Sequence, residues 1–239
     1  MGEHACILKL SNAHKGDVKT LSEQARSPNI RDYQMRKRAD DVSLTHQRII
    51  EAAVRLHGTI GPAATTISAL AEEAEVTRLT VYRHFPTDLE LFAACSQHWA
   101  SGQVLPDPQA WSEVRDPELR LHSGLSDLYR FYRTGEPMLT NVRRDRASLP
   151  AELRAQTDAT DARFCDVLLK PFAVRGGRRK RLRAVLGHAV SFWTWRSLCM
   201  EQGLSNREAT EAMSAMVMAT AGRDRAPGPS RQEGAGKAW

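Results

Sequence analysis

Apolar residues along this chain recur at helical spacing and almost nowhere alternate. Several stretches place apolar side chains at i, i+3, i+4 and i+7, and none alternates apolar with polar residues between hairpin turns, so the pattern predicts an all-α fold. Helices are predicted at roughly 45–58, 66–74, 77–85, 88–101, 117–134, 136–147, 150–172, 178–202 and 205–220. Ahead of them, residues 1–42 mix Ser, Asn, Lys, Arg and Asp without sustained periodicity and read as a disordered arm, in which Met35 is a second candidate start. Beyond them, residues 221–239 are rich in Gly, Pro and Arg and read as a disordered tail.

The first three helices are short and closely spaced. Thr45 can cap a helix whose apolar face is Ile49, Ile50, Ala53, Val54 and Leu56, and "GTIGP" ends it. A second helix starts at Thr65 or Thr66 and buries Ile67, Leu70, Ala71 and Ala74. After a tight "AEV" turn, Thr77 can cap the third, which completes a helix-turn-helix order.

At about 100° per residue, Val81 and Phe85 lie about 40° apart and define the core side of the third helix. Leu79 and Arg83 then fall near the opposite pole, flanked by Thr80 and Tyr82. Thr77 and Arg78 occupy the first turn, and His84 sits at the border with the core side. Arginine can hydrogen-bond a guanine edge, leucine can touch a thymine methyl, and Thr, Tyr and His suit phosphate oxygens. The exposed cluster therefore has the chemistry of a DNA-facing surface; the plain alternative is a solvated basic face.

Composition supports a soluble helical protein with an anionic partner. The chain is 41% hydrophobic and 26% charged, with a net charge of +6 and a pI near 9.4, a balance that steers nucleic acid or another anionic surface towards it. That surplus is not in the predicted helix-turn-helix: residues 43–90 hold Arg48, Arg55, Arg78 and Arg83 against Glu51, Glu72, Glu73, Glu75, Asp88 and Glu90. It lies instead in Arg36, Lys37 and Arg38, which read equally as a DNA-contacting arm or a plain soluble one, and in "RRDR" at 143–146 and "RGGRRKRLR" at 175–183, both read as solvated. The four cysteines, at 6, 95, 165 and 199, have no disulfide or zinc spacing, and the N-terminus has no apolar leader, so a cytoplasmic location is expected.

"TTISALAEEAEVTRLTVYRHFPTDLELF" resembles the helix-turn-helix signature of the TetR family of transcriptional regulators. The resemblance covers about 45–100 and rests on the threonine-capped second helix, the A-x-V-[ST] turn, T-[LV]-Y-x-H-F and the following P-x-x-x-E-L. It implies base-facing roles for Arg78, Leu79, Thr80 and Arg83, and phosphate contacts for Thr66, Thr77, Tyr82 and His84. Three positions depart from the pattern: Glu75 stands where the turn is usually glycine, Asp88 where lysine is frequent, and Ser68 where arginine is frequent. The implied organisation is a helix-turn-helix DNA-binding domain at 43–88 followed by a helical regulatory and dimerisation domain at 89–220.

In that second part, helix 178–202 carries a stripe of Leu182, Val185, Leu186, Ala189, Val190 and Trp193, with Phe192, Trp195 and Cys199 off it. Such a wide apolar surface needs cover on two sides. His188 and Arg196 interrupt it, so a membrane span is not expected. With 205–220, whose stripe is Ala209, Ala212, Met213, Met216 and Val217, it is similar to the last two helices of many members and implies a four-helix homodimer interface. The resemblance further implies a double-stranded DNA operator with inverted-repeat symmetry and an apolar or aromatic small-molecule effector. Candidate pocket residues are Trp111, Leu128, Phe131, Tyr132, Met138, Phe164, Phe192 and Trp193. No nucleotide, hydrolase or zinc-protease motif occurs, the histidines are scattered, and no cofactor, metal site or enzymatic activity is expected. His57 reads as a buried, satisfied imidazole, and His122 and His188 as pocket or structural residues. The expected function is a repressor released by its effector; the alternative is a regulator of the same fold that senses no small molecule, which a fully packed core between 100 and 200 would favour.

Overall fold

Ten α-helices follow one another in the computed structural model, which describes residues 30–222, with side chains from Tyr33 onward. They are α1 (Ile30–Thr59), α2 (Ile67–Glu73), α3 (Arg78–His84), α4 (Asp88–Ser101), α5 (Pro108–Glu113), α6 (Pro117–Arg144), α7 (Ala151–Leu169), α8 (Gly176–Ala189), α9 (Phe192–Arg196) and α10 (Asn206–Gly222). A π-helical turn, Ser197–Glu201, continues α9. Among the described residues there is no strand, as the periodicity predicts.

Two units divide at Val42 and Ser43. Of the first, residues 30–42 are described, and they are helical rather than irregular. The expectation of a disordered arm is corrected there, and its remainder, 1–29, lies outside the described residues. The segment hides no apolar face, since every side chain from Tyr33 to Val42 is exposed. Its helix rests on propensity: Gln34, Met35, Arg36, Lys37, Arg38 and Ala39 are all good formers, with Arg36 and Lys37 spaced four residues before Asp40 and Asp41.

In the second unit, capping side chains start most helices. Thr66 accepts from the Ala69 amide at 3.1 Å and Thr77 from the Thr80 amide at 3.1 Å. Thr87 and Glu90 form a reciprocal capping box at the head of α4. Asp107 and Asp116 cap α5 and α6, each followed by a proline at the first helical position. A first core gathers Ile49, Ala53, Leu70, Val81, Phe85 and Leu91 from α1 to α4, and a second is built on α6, α7, α8 and α10. Helix α4 belongs to both regions: Leu91 and Cys95 pack in the first core, while Trp99 meets Phe131 of α6 with ring centroids 5.9 Å apart.

Besides the early start of α1, three elements differ from those read in the sequence. Helix α5 escapes the periodicity, because six residues are too few to show a repeat; it is fixed by the Asp107–Pro108 start and by buried Trp111, whose indole N–H donates to Asp127 at 3.0 Å. The predicted helices 117–134 and 136–147 are one helix, α6, which runs through Pro137. Pro137 and Arg133, whose carbonyl it leaves without a helical donor, both lie on the exposed side, and buried Tyr132 and Asn141 hold the helix on the other.

The predicted helix 178–202 breaks at Val190–Ser191. The break rotates the helix beyond it, so Phe192 and Trp195 are fully buried whereas Trp193 is 44% exposed, the reverse of the stripe expected from an unbroken helix. Two hydroxyls from α6 stabilise it: Tyr129 donates to the Ala189 carbonyl at 2.8 Å and Tyr132 to the Val190 carbonyl at 2.7 Å. Each carbonyl has lost its helical donor, so the tyrosines supply what the chain itself cannot. Close approach of α6 to its neighbours also demands Gly124, where a Cβ would sit 2.7 Å from Leu168 and 3.2 Å from the Trp111 ring.

Candidate nucleic-acid interface and ligand cavity

Helix α3 is held from behind and bare in front. Val81 and Phe85 are buried, while Leu79 is 78% and Tyr82 54% exposed, and Arg78 and Arg83 are exposed beside them. Thr80 is partly covered, its hydroxyl 2.9 Å from that of Thr77, so the two threonines form one polar edge at the start of the helix. Thr66 lies at the head of α2, its hydroxyl engaged as the cap. Six of the eight predicted contact residues, Thr66, Thr77, Arg78, Leu79, Tyr82 and Arg83, are thus exposed, and Thr80 is partly so. His84 is the partial exception: its Nε2 is buried without a hydrogen-bond partner, and burial, followed by the charges of His46 and Arg83, lowers its pKa below the ordinary histidine value. Its ring lies 5.9 Å from that of His46, which stacks on Phe85 at 4.6 Å. One face of His84 therefore serves the core.

The turn between α2 and α3 shows how Glu75 replaces the usual glycine. Its φ is 52°, the left-handed region, which costs a non-glycine residue about 1 kcal/mol. The Glu75 amide donates to the Glu72 carbonyl at 3.0 Å and the Val76 amide to the Ala71 carbonyl at 2.9 Å, the paired bonds of a Schellman motif. Arg48 of α1 then reaches the Ala74 carbonyl at 2.6 Å and the Glu75 carboxylate at 2.9 Å. These bonds offset the strain and tie α1 to the turn that orients α3.

The C-terminal turn of α6 grips the end of α1. Asn141 donates to the His57 carbonyl at 3.1 Å and the Thr59 carbonyl at 3.3 Å, and Arg144 to the Ile60 carbonyl at 3.0 Å. Asp145 accepts from the Ala63 amide at 3.1 Å, and the hydrogen bond from Arg144 holds its carboxyl below the usual carboxylate range. "RRDR" is thus not a solvated run: Arg143 pairs with Asp161, Arg144 with Asp145 and Arg146 with Asp158. Most of 175–183 is exposed, as expected.

Further positions of that same α6 turn, Met138, Leu139, Val142 and Arg143, line a cavity of about 510 Å³ between α1, α4, α6, α7 and the loop before α5. Of the predicted pocket residues, Phe131, Tyr132, Met138 and Phe164 line it. The other four do not: Trp111, Leu128 and Phe192 are core side chains, and Trp193 faces outward. Residues that sequence reasoning missed include Phe92, Ser96 and Trp99, a stripe on α4 at i, i+4 and i+7 that was legible as a second face, and His57 of α1. His122 and His188 are exposed and outside the cavity.

Inside the cavity, charge is cancelled. Arg143 and Asp161 form a two-pronged pair at 3.0 and 3.2 Å. The His57 ring stacks on Phe92 at 4.9 Å, and burial pushes its pKa down to about 4. It is buried as expected, and no side-chain hydrogen bond to its ring occurs among the described residues. Burial also pushes the Cys95 thiol up to about 12, which makes it a poor nucleophile at neutral pH.

A pH dependence follows from His57. Its folded pKa lies below its unfolded one, so between about 6.5 and 4 the unfolded chain binds a proton that the native chain does not, and stability falls as pH falls. Roughly 2 kcal/mol of the stability lost between about pH 7 and 4.5 should come from this residue. Urea denaturation of parent and His57→Phe across that range should show the shallower decline in the variant; parallel curves would assign the loss to other groups.

Among the described residues, no helix is long and apolar enough to cross a membrane and no group of three or more His, Cys, Asp or Glu side chains could hold a metal ion. The family described as "Bacterial regulatory proteins, tetR family" matches residues 49–95, from the core of α1 through α3 into α4. A TetR-like transcriptional regulator from Rhodococcus sp. RHA1 has a similar structure, with a TM-score of 0.54 at 18% identity over 75% of this chain and 97% of that one. AibR, solved in complex with isovaleryl coenzyme A and operator DNA, gives 0.53 at 19% identity over 72% and 97%. NalD, the secondary repressor of the MexAB-OprM multidrug efflux pump in Pseudomonas aeruginosa, gives 0.51 at 20% identity over 76% and 97%. None of the curated proteins matches in sequence. At such identities the structural likeness establishes a common fold alone, and the family match is confined to α1 through α4. Residues 49–95 thus carry the helix-turn-helix region described by the tetR family of bacterial regulatory proteins.

Proposed function

We propose that the protein is a cytoplasmic homodimeric repressor, not an enzyme, that binds an inverted-repeat DNA operator through α2 and α3 and is released by a small-molecule effector in the α1–α4–α6–α7 cavity. The observation that carries the first half is the bare face of α3: Arg78, Leu79, Tyr82 and Arg83 are exposed together on a helix fixed by Val81 and Phe85. Arg78, Leu79, Thr80 and Arg83 take the base edges, and Thr66, Thr77 and Tyr82 the phosphates, with His84 contributing through its outer edge. Residues 43–88 form the DNA-binding domain and 89–220 the regulatory and dimerisation domain.

Release by an effector is supported by the cavity, because a fully packed core would have favoured a regulator without one. Its walls include α1 and α4, the two helices that carry the α2–α3 unit, so a ligand that fits only one arrangement of them changes the spacing of two recognition helices. Weakening operator binding about 100-fold requires roughly 2.7 kcal/mol of differential ligand affinity between the free and operator-bound states. AibR, with its coenzyme A thioester and operator, indicates that this fold can accommodate both kinds of partner.

Dimerisation is supported by the outer faces of α8 and α10. Ala184 and Gly187 on α8, and Ala212, Ala215, Met216 and Ala219 on α10, lie on the outer sides of these helices, and a Cβ on Gly187 would meet nothing within 4 Å. Two copies can bring such faces, built mostly of small side chains, into close helix contact around a two-fold axis, the symmetry an inverted repeat requires. Sedimentation should give twice the 26.7 kDa chain mass for the parent and one chain mass for Ala215→Glu, with operator binding lost in the variant. A parent that sediments as a monomer while protecting a symmetric site in a footprint would contradict this arrangement.

A further inference from the structure

We propose that the cavity selects an uncharged ligand bearing one hydrogen-bonding oxygen or nitrogen, and that the His57 imidazole is the group that anchors it. The proposal rests on the reading of the cavity as an effector site and adds what that site recognises.

His57 is 5% exposed, lines the cavity, and has no hydrogen-bond partner for either ring nitrogen among the described residues. With neither ring nitrogen bonded to the protein, the imidazole on the cavity wall can pair with a ligand that fills that space. Its surroundings offer none: Phe92 covers one face of the ring, and Val54, Cys95 and Met138 line the cavity nearby. Neutral imidazole presents one donor and one acceptor, which suits a hydroxyl, phenol, carbonyl or amide.

A charged group would fare worse in the same place. Arg143 and Asp161 satisfy each other through two hydrogen bonds, and Arg163, the remaining cationic lining residue, is exposed. A carboxylate or ammonium drawn in among the aromatic walls of Phe92, Trp99 and Phe131 would lose its hydration there, since Arg163 stands at the exposed side and Arg143 is already paired. An uncharged molecule loses little by the same transfer, and a cavity of this size suits a small organic body.

The anchor also lies on the right element for regulation. Val54 and His57 are the cavity residues of α1, and the His57 carbonyl is one of the two that Asn141 of α6 holds. A ligand bonded to the ring therefore acts on α1 directly, without passing first through α4.

Three probes of nearly equal shape test this on the full-length chain: 4-phenylphenol, 4-methylbiphenyl and biphenyl-4-carboxylate, measured by calorimetric titration at neutral pH. The phenol should bind about 10-fold more tightly than the other two, the difference expected for one net hydrogen bond. His57→Phe should reduce the phenol to the level of 4-methylbiphenyl while leaving the latter within about twofold, and His57→Gln, which keeps a donor and an acceptor, should restore part of the preference. Melting curves of both variants establish that they fold; should His57→Phe not fold, His57→Gln against the parent still decides the ranking. Tightest binding by the carboxylate, or a phenol preference that survives in His57→Phe, overturns the proposal while leaving an effector site in place. If none of the three binds, the effector reading fails and the proposal falls with it. Binding with the expected ranking but no change in operator affinity contradicts only the effector reading.

Discussion

Replacing Arg78 and Arg83 together by alanine is expected to weaken binding to the preferred operator by at least about 100-fold, with little change in thermal stability. Each guanidinium is exposed on α3 with no ion-pair partner among the described residues, so neither holds the fold together. Removing one bidentate arginine–base interaction costs about 1–3 kcal/mol, and the two side chains are far enough round the helix to meet different bases. Discrimination should suffer with affinity if both arginines take base edges as proposed: the ratio of operator to scrambled-duplex affinity should collapse towards one. Tyr82→Phe provides the contrast. Removing one hydroxyl from a phosphate costs about 0.5–1.5 kcal/mol on every sequence alike, and the ratio should survive. Both measurements belong at one fixed salt concentration, since phosphate-driven binding falls steeply with salt. Equal weakening of both duplexes by the arginine substitutions, with a changed ratio for Tyr82→Phe, would reverse the roles assigned to these side chains.

The second large effect is on stability. Tyr129→Phe with Tyr132→Phe should destabilise the fold by about 2–5 kcal/mol, because two buried carbonyls at the α8–α9 break lose their donors and cannot regain them from the helix. The hydroxyl-to-carbonyl bonds are 2.8 and 2.7 Å long, and burial pushes both phenols above the ordinary tyrosine range, so both remain donors at neutral pH. Their rings lie 6.3 Å apart, close enough that the two losses need not add, and the double substitution is the one to compare with the parent. Tyr33→Phe, fully outside this network and 63% exposed, should be silent in the same urea titration. A double variant as stable as the parent would mean that the break is held by packing of Phe192 and Trp195 alone.

What could be read from the sequence was local. The α2–α3 unit depends on two threonine caps and on apolar spacing within each short helix, so a wheel drawn from Val81 and Phe85 puts Arg83 and Leu79 outside, where the structure has them. Elements decided by tertiary contacts were misplaced. Pro137 signals a break, yet buried neighbours on either side carry α6 through it. Val190 and Ser191 carry no breaker at all, and the break there depends on hydroxyls from residues some sixty positions away. Residues 30–42 form helix although every side chain from Tyr33 to Val42 is exposed, so a search for apolar stripes passes over them. Pocket residues were the hardest, because a cavity is whatever the packed elements leave unfilled: Trp111 and Phe164 are both aromatic and in contact, yet only Phe164 borders the space. His57 looked like a core residue for the same reason, since burial can be guessed from position but a missing partner cannot.

The central claim, that paired α3 helices read a symmetric DNA site, is tested most directly by selecting bound duplexes from a random pool with the full-length protein. Sequences enriched by the parent should converge on an inverted repeat whose half-sites are centred about one helical turn apart or slightly more, one for each recognition helix of the dimer. Convergence on a single asymmetric element, or no convergence at all, would contradict it.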